Sequence, residues 1–283
     1  MFKIKRTRAA ALFAAAVMLA SFAACGKKEP SKVPQEGGYD AGGNYVPTIP
    51  DVSKELEQAV KDNSDVIGWL QVPDTKINEP VVQTTDNEYY LRRDYKKNYS
   101  YAGCYYLDYE SVLFDEGKDL PQNAIIYGHN LGNPLGTKDD PEADKFAQLL
   151  KFDDVEFAKK TPYIYFTTPG GKHVFEIFAV FYCEADMTPV PYHLAEYTDE
   201  RLNALLADVR ARSMYSYDVE VTPEDKILTL STCSYKYGTY SQNPDQRYVV
   251  MGRLVRDGEG YHEQALLKIN ETPKAPAFLN TAA

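Results

Sequence analysis

Cysteine, histidine and tryptophan are scarce in this 283-residue chain, with four, four and one copies. Four cysteines cannot build the dense disulfide framework of a small secreted scaffold, and no cysteine or histidine pair has the spacing of a structural zinc site. No glycine-rich phosphate loop is present. No cofactor or metal is therefore expected. Basic residues are also in deficit: the formal charge is −10, and without residues 1–24, which hold Lys3, Lys5, Arg6 and Arg8, 27 basic residues face 41 acidic ones, a charge of −14. That balance argues against nucleic acid as a partner. Long apolar runs are absent except for one, Ala9 to Ala24, and its roughly 16 residues fall short of the about 20 that a spanning helix needs.

That run follows a basic head, so residues 1–24 read as an export signal. It ends Ser21-Phe22-Ala23-Ala24-Cys25-Gly26, which resembles a bacterial lipobox and makes Cys25 a candidate for lipidation. An uncleaved signal anchor is the alternative. Either places the rest of the chain outside the cytoplasm, tethered to the membrane at its N-terminus. Residues 25–50, rich in Gly, Pro and Lys, read as a flexible tether.

With 44% hydrophobic residues, the remainder can bury a full core in one domain of about 200 residues. Ser53 to Asp62 has helical periodicity, with Val52, Leu56, Ala59 and Val60 on one face. Strand-like segments follow at 66–72, 77–83, 101–108, 124–128, 163–167, 174–182, 226–231 and 247–255. Eight short strands imply a mainly β fold, a barrel or sandwich with helices in its connections. Between the strands, Glu142 to Phe152 reads as a short helix after an acidic loop, 137–144. Its Asp139, Asp140, Glu142 and Asp144 lack the spacing of a calcium loop and read as a solvated turn. Thr198 to Arg212 is an amphipathic helix, with Leu202, Leu205, Leu206 and Val209 in register, acids in its first turn and Arg210 and Arg212 in its last. Residues 258–283 read as a polar, loosely packed tail.

Three residues stand where strands meet loops. Cys233 ends the apolar run Ile227 to Thr232 and opens a Tyr-rich loop, which suits a nucleophile held by a sheet. His129 follows Ala124-Ile125-Ile126-Tyr127-Gly128, and Arg247 opens a strand after the loop 238–246. Cysteine, imidazole and guanidinium make an acyl-transfer set. The other histidines, His173, His193 and His262, have no such setting, and Arg253 and Arg256 are expected to face solvent. Cys104 and Cys183 both lie in strands, and a disulfide or two buried thiols fit them equally.

Thr229-Leu230-Ser231-Thr232-Cys233 resembles the signature of sortases, the cysteine transpeptidases of Gram-positive cell surfaces, with His129 and Arg247 at the positions of that family's other two catalytic residues. Asn63-Ser64-Asp65-Val66-Ile67-Gly68-Trp69-Leu70, Glu79-Pro80-Val81-Val82-Gln83, Asp86-Asn87-Glu88-Tyr89-Tyr90-Leu91, Ile126-Tyr127-Gly128-His129-Asn130 and Phe175 to Val180 follow the class B pattern in order. The resemblance covers about residues 51–257. It selects a closed eight-stranded barrel and implies a substrate groove walled by the helix-bearing segment 184–224, with Thr232, Ser231, Asn130, Tyr235 and Tyr127 as substrate-binding candidates. It also implies the reaction: a sorting signal on a secreted protein is cut after Thr through a Cys233 thioacyl intermediate, then joined to an amine of a cell-wall precursor or a pilin. Ser234 departs from the acidic residue that many class B members carry there, as Asn78-Glu79 depart from an aromatic. A cysteine endopeptidase acting on the same bond and an inactive substrate-binding lipoprotein are the alternative functions.

Overall fold

The computed structural model describes residues 32–33, 36–113 and 119–279. The export signal and Cys25 lie outside them. Among these residues are twelve strands and three α-helices. In chain order they are β1 (Glu36–Tyr39), β2 (Tyr45–Thr48), α1 (Ser53–Asp62), β3 (Val66–Gln71), β4 (Asn78–Val82), β5 (Tyr105–Leu107), β6 (Asn123–Tyr127), α2 (Val155–Lys160), β7 (Tyr163–Thr168), β8 (Gly171–Glu184), α3 (Asp199–Arg212), β9 (Tyr215–Tyr217), β10 (Ile227–Cys233), β11 (Gln246–Leu254) and β12 (Leu267–Ile269).

Eight strands close a barrel in the order β10-β11-β8-β7-β3-β4-β5-β6, as the eight strand-like segments and the family resemblance led us to expect. A barrel of eight strands is just wide enough to be filled by its own side chains. Here the filling comes from alternate residues: Leu228 and Leu230 of β10, Tyr248 and Val250 of β11, Ile126 of β6 and Ile164 and Phe166 of β7 share one buried cluster. The intervening residues do not face water. Val249 and Met251 of β11 and Phe181 and Cys183 of β8 pack beneath Leu202, Leu205, Leu206 and Val209 of α3, so the segment 184–224 covers one outer wall of the barrel. Burial on both faces explains why these strands read as near-continuous apolar runs. Thr198 caps α3 by accepting from the Arg201 amide at 3.4 Å. Helix α1 sets Leu56 and Ala59 against Val66, Val82, Tyr90 and Cys104.

Several expectations need correction. The segment 101–108 supplies only a three-residue strand, and the expected helix at 142–152 is a 3-10 helix, Lys145–Asp153, followed by the short α2. Residues 36–48, inside the segment read as a tether, form the β1–β2 hairpin. The C-terminal segment is packed as far as residue 279: β12 pairs with β9, Tyr261 bridges to Tyr45, and the Ala277 amide donates to Glu184 at 2.9 Å. Its polar composition concealed this, because its apolar contacts are few and scattered: Tyr261 on Tyr163, Leu267 on the core and Phe278 on Tyr237. Cys104 and Cys183 are separate buried thiols in different apolar clusters. Burial raises both pKa values, that of Cys104 to about 12.

Arg253, expected at the surface, is 1% exposed. It donates to Glu259 at 2.5 and 2.7 Å and to Glu176 at 3.3 Å. Arg256 is partly exposed and paired with Asp225 and Glu220. Glu176, 6% exposed, also meets His262, and burial raises its pKa despite these partners. A carboxyl whose folded pKa is raised loses stability as pH climbs from its unfolded value through its folded one. Replacing Arg253 with Ala strips Glu176 of its fixed cation and is expected to cost about 3–5 kcal/mol. In thermal unfolding the loss should be larger at pH 8 than at pH 5, where Glu176 can take up a proton.

Candidate active site

The ends of three neighbouring strands make the site. β6 and β10 run parallel with Tyr127 opposite Ser231, and two residues further along each are His129 and Cys233. β10 and β11 run antiparallel with Cys233 directly opposite Arg247. Side chains opposed in this way share a face with Cβ atoms about 5 Å apart. The three sequence candidates therefore meet at one end of the barrel. Cys233 is partly exposed at the last position of its strand.

Each is held by its own local structure. The Thr232 hydroxyl donates to the Gly128 carbonyl at 2.7 Å, and the Gly128 amide reaches the Ser231 carbonyl at 3.4 Å, so the two strand ends are tied together beyond their last ladder pair. Gly128 has to be glycine, since a Cβ there would lie 2.7 Å from Tyr105 and 2.8 Å from Phe146. The Phe146 amide donates to the His129 carbonyl at 3.0 Å. The His129 Nε2 lies 2.9 Å from the Leu91 carbonyl. A carbonyl only accepts, so Nε2 carries the hydrogen and Nδ1 keeps its lone pair. Arg92 follows at the end of the 3-10 helix Tyr89–Arg92, with Nη1 3.5 Å from Nε2 and its guanidinium over the Tyr101 ring at 4.4 Å.

Burial lowers the His129 pKa below 6.5, the Leu91 carbonyl works against that, and the Arg92 and Lys145 charges add to the depression. The imidazole is thus neutral at pH 7. Burial works against the Arg247 charge, but Cys233, Tyr192, Cys183 and Asp245 outweigh it and raise its pKa above the usual arginine value. Arg247 Nη1 is anchored to the carbonyls of Pro244 at 2.8 Å and Gln246 at 3.0 Å. The rest of its fork has no hydrogen-bond partner among the described residues. An anchored guanidinium beside a partly exposed thiol can hold an oxyanion.

The other candidates divide. Ser231 (1% exposed), Thr232 (3%) and Asn130 (1%) are buried. The Ser231 hydroxyl is shared with the Tyr192 hydroxyl at 2.8 Å, and the Asn130 amide donates to the Cys233 carbonyl at 3.0 Å. They brace the end of the Cys233 strand. Tyr235 is also buried, its hydroxyl donating to the Asn130 carbonyl at 2.5 Å. Tyr127 is partly exposed, donates to Asp108 at 3.0 Å and packs against Tyr106 with ring centroids 5.4 Å apart. Sequence reasoning missed Arg92, Tyr106, Tyr192 and Asp139. Arg92 adjoins the motif Tyr89-Tyr90-Leu91 and could have been found there; Tyr192 and Asp139 sit in insertions with no local signal. Asp139 also corrects the reading of 137–144 as a solvated turn. It is partly buried and accepts hydrogen bonds from Asn130, Ser234 and Tyr235. Among the described residues, no cluster of acidic, histidine or cysteine side chains is arranged to hold a metal.

A thiol, an imidazole and a guanidinium on adjacent strand ends of a closed eight-stranded barrel define a cysteine transpeptidase of the sortase type. The sortase domain family model matches residues 70–255. Sortase B of Listeria monocytogenes is 33% identical over 205 residues, 72% of this chain and 76% of that protein. Sortase B of Staphylococcus aureus is 28% identical over 206 residues, with the same two coverages. The S. aureus sortase B–substrate complex superimposes with a TM-score of 0.59 at 26% identity, covering 72% of this chain and 85% of the other. A Bacillus anthracis structure similar to sortase B gives 0.57 at 27% identity, covering 81% of this chain and 90% of the other. The chain belongs to the sortase family, in its class B, and is a cysteine transpeptidase.

The electrostatics of the imidazole can be tested directly. Proton NMR titration, with the His129 signal identified by its loss in His129→Gln, should give a midpoint below 6.5. Arg92→Ala removes a neighbouring positive charge, makes the imidazolium easier to form and should raise that midpoint.

Proposed function

We propose that Cys233, His129 and Arg247 carry the reaction and that the donor is a secreted protein with a C-terminal sorting signal. The observation that supports this most strongly is the register that sets Cys233 opposite Arg247 and abreast of His129. The Cys233 thiol gives its proton to the neutral His129, and the resulting thiolate attacks the carbonyl of the signal's Thr while Arg247 holds the oxyanion as the C–S bond forms. The C–N bond then breaks, and the imidazolium form of His129 protonates the departing amine. An incoming amine attacks the thioester and loses its proton to His129; the C–S bond breaks and the thiolate returns. The acceptor is an amine of a cell-wall precursor or of a pilin.

The enzyme would act on the outer face of the membrane. Among the described residues no helix is long and apolar enough to cross it. We assign tethering to the N-terminal signal, through lipid on Cys25 or through an uncleaved signal anchor.

The chain from Lys32 onward should be mixed with a panel of sorting peptides, with and without triglycine, and read by mass spectrometry. An adduct on Cys233 that resolves to an amine-linked product, and that is absent in Cys233→Ala, is the expected result. A hydrolysed product with and without triglycine would identify an endopeptidase, and no adduct with any peptide a binding protein. Arg247→Ala should lower kcat by roughly 10²–10³-fold, and Arg247→Lys should not restore it, since an ammonium cannot reproduce the fork.

A further inference from the structure

Asp139 lies six positions before Lys145 in the insertion that follows His129, yet its carboxylate is spent on the loop that follows Cys233. Oδ2 accepts from the Ser234 hydroxyl at 2.9 Å. Oδ1 accepts from the Tyr235 amide at 2.9 Å and from the Asn130 side-chain amide at 2.7 Å. The same Asn130 amide donates to the Cys233 carbonyl at 3.0 Å, and Tyr235 returns a bond from its hydroxyl to the Asn130 carbonyl. One carboxylate thus gathers the residue after His129 and the two residues after Cys233. Both oxygens are committed, and no cation pairs with it among the described residues.

A carboxylate removed from water without a cation costs free energy that hydrogen bonds only partly return. Burial raises the Asp139 pKa, and its three hydrogen-bonding partners oppose the shift. A fold needing only a loop closure could make it with a neutral side chain. What the carboxylate adds is geometry: an acceptor with two oxygens can hold three donors from two loops at once, and those loops begin at the imidazole and at the thiol.

We propose that Asp139 is a positioning residue for transpeptidation, fixing the Cys233 loop against the His129 loop through Ser234, Tyr235 and Asn130. The inference rests on the assignment of Cys233 and His129 to the chemistry. It acts on the alignment of thiol and imidazole, and a displacement of about 1 Å between reacting groups costs up to about 10²-fold in rate.

The test uses the chain from Lys32 onward and the peptide transfer assay. Asp139→Ala should lower kcat by about 10- to 100-fold and leave KM within about threefold, with cooperative unfolding retained. Amide hydrogen exchange at Tyr235 should lose protection, and the His129 ring signal should broaden or split. Asp139→Asn keeps an oxygen for Tyr235 and Asn130 and can turn its amide to the Ser234 oxygen, so it should recover most of the kcat and the Tyr235 protection. A kcat of Asp139→Ala within twofold of the parent overturns the proposal. So does a loss of kcat that tracks loss of cooperative unfolding in both variants, which is the signature of a purely structural residue. If the parent itself forms no adduct on Cys233, the functional assignment fails instead. The exchange and ring signals then still decide whether Asp139 holds the two loops together.

Discussion

The structure depends on the register of three neighbouring strands. β10 lies between a parallel partner, β6, and an antiparallel one, β11, and both ladders are fixed by the same apolar residues. Leu228 and Leu230 must point into the barrel, so Thr229, Ser231 and Cys233 must point out. A slip of one residue would exchange the two sets and send the thiol into the core. Interior packing is therefore what aims Cys233. It equally sets Arg247 opposite, because Tyr248 and Val250 of β11 face inward.

An outward-facing strand end would ordinarily be wet. The segment 184–224 changes that by laying α3 and Tyr192 over the outer faces of β8, β10 and β11. Ser231 loses contact with water and shares its hydroxyl with Tyr192, while Thr232, on the opposite face of the strand, donates to the Gly128 carbonyl. Burial within the site also lowers the His129 pKa and raises that of Tyr106. Against a chain of net charge −10, the local cations are conspicuous: Arg247 faces Cys233, and Arg92 and Lys145 both act on the imidazole. Positive charge is concentrated where an oxyanion would develop.

On another side of the barrel, polar contacts close the fold. Arg253 reaches from β11 to Glu176 of β8 and to Glu259 beyond the strand, while Tyr261 bridges to Tyr45 of the N-terminal hairpin. The N-terminal hairpin and the segment just after β11 thus meet against β7 and β8, with the His262 amide donating to the Tyr163 hydroxyl at 2.5 Å.

The sequence by itself determined the eight barrel strands and the helices at 53–62 and 199–212, and it singled out Cys233, His129 and Arg247 as candidates. Each of these is written locally: apolar runs, helical spacing and a strand-to-loop change of composition depend on neighbouring residues alone. Tertiary structure decided the rest. Ser231, Thr232 and Asn130 are chemically fit to bind substrate, and only the fold shows that their polar groups are taken up by Tyr192, the Gly128 carbonyl, Asp139 and the Cys233 carbonyl. Arg253 resembles any arginine near a strand end until Glu176 and Glu259 arrive from elsewhere in the chain. Asp139 belongs to an acidic loop by sequence and to the Cys233 loop by structure, nearly a hundred positions later. The physical reason is common to all three. A polar side chain's role is set by which donors and acceptors surround it once water is gone, and those come from residues that the fold alone brings together.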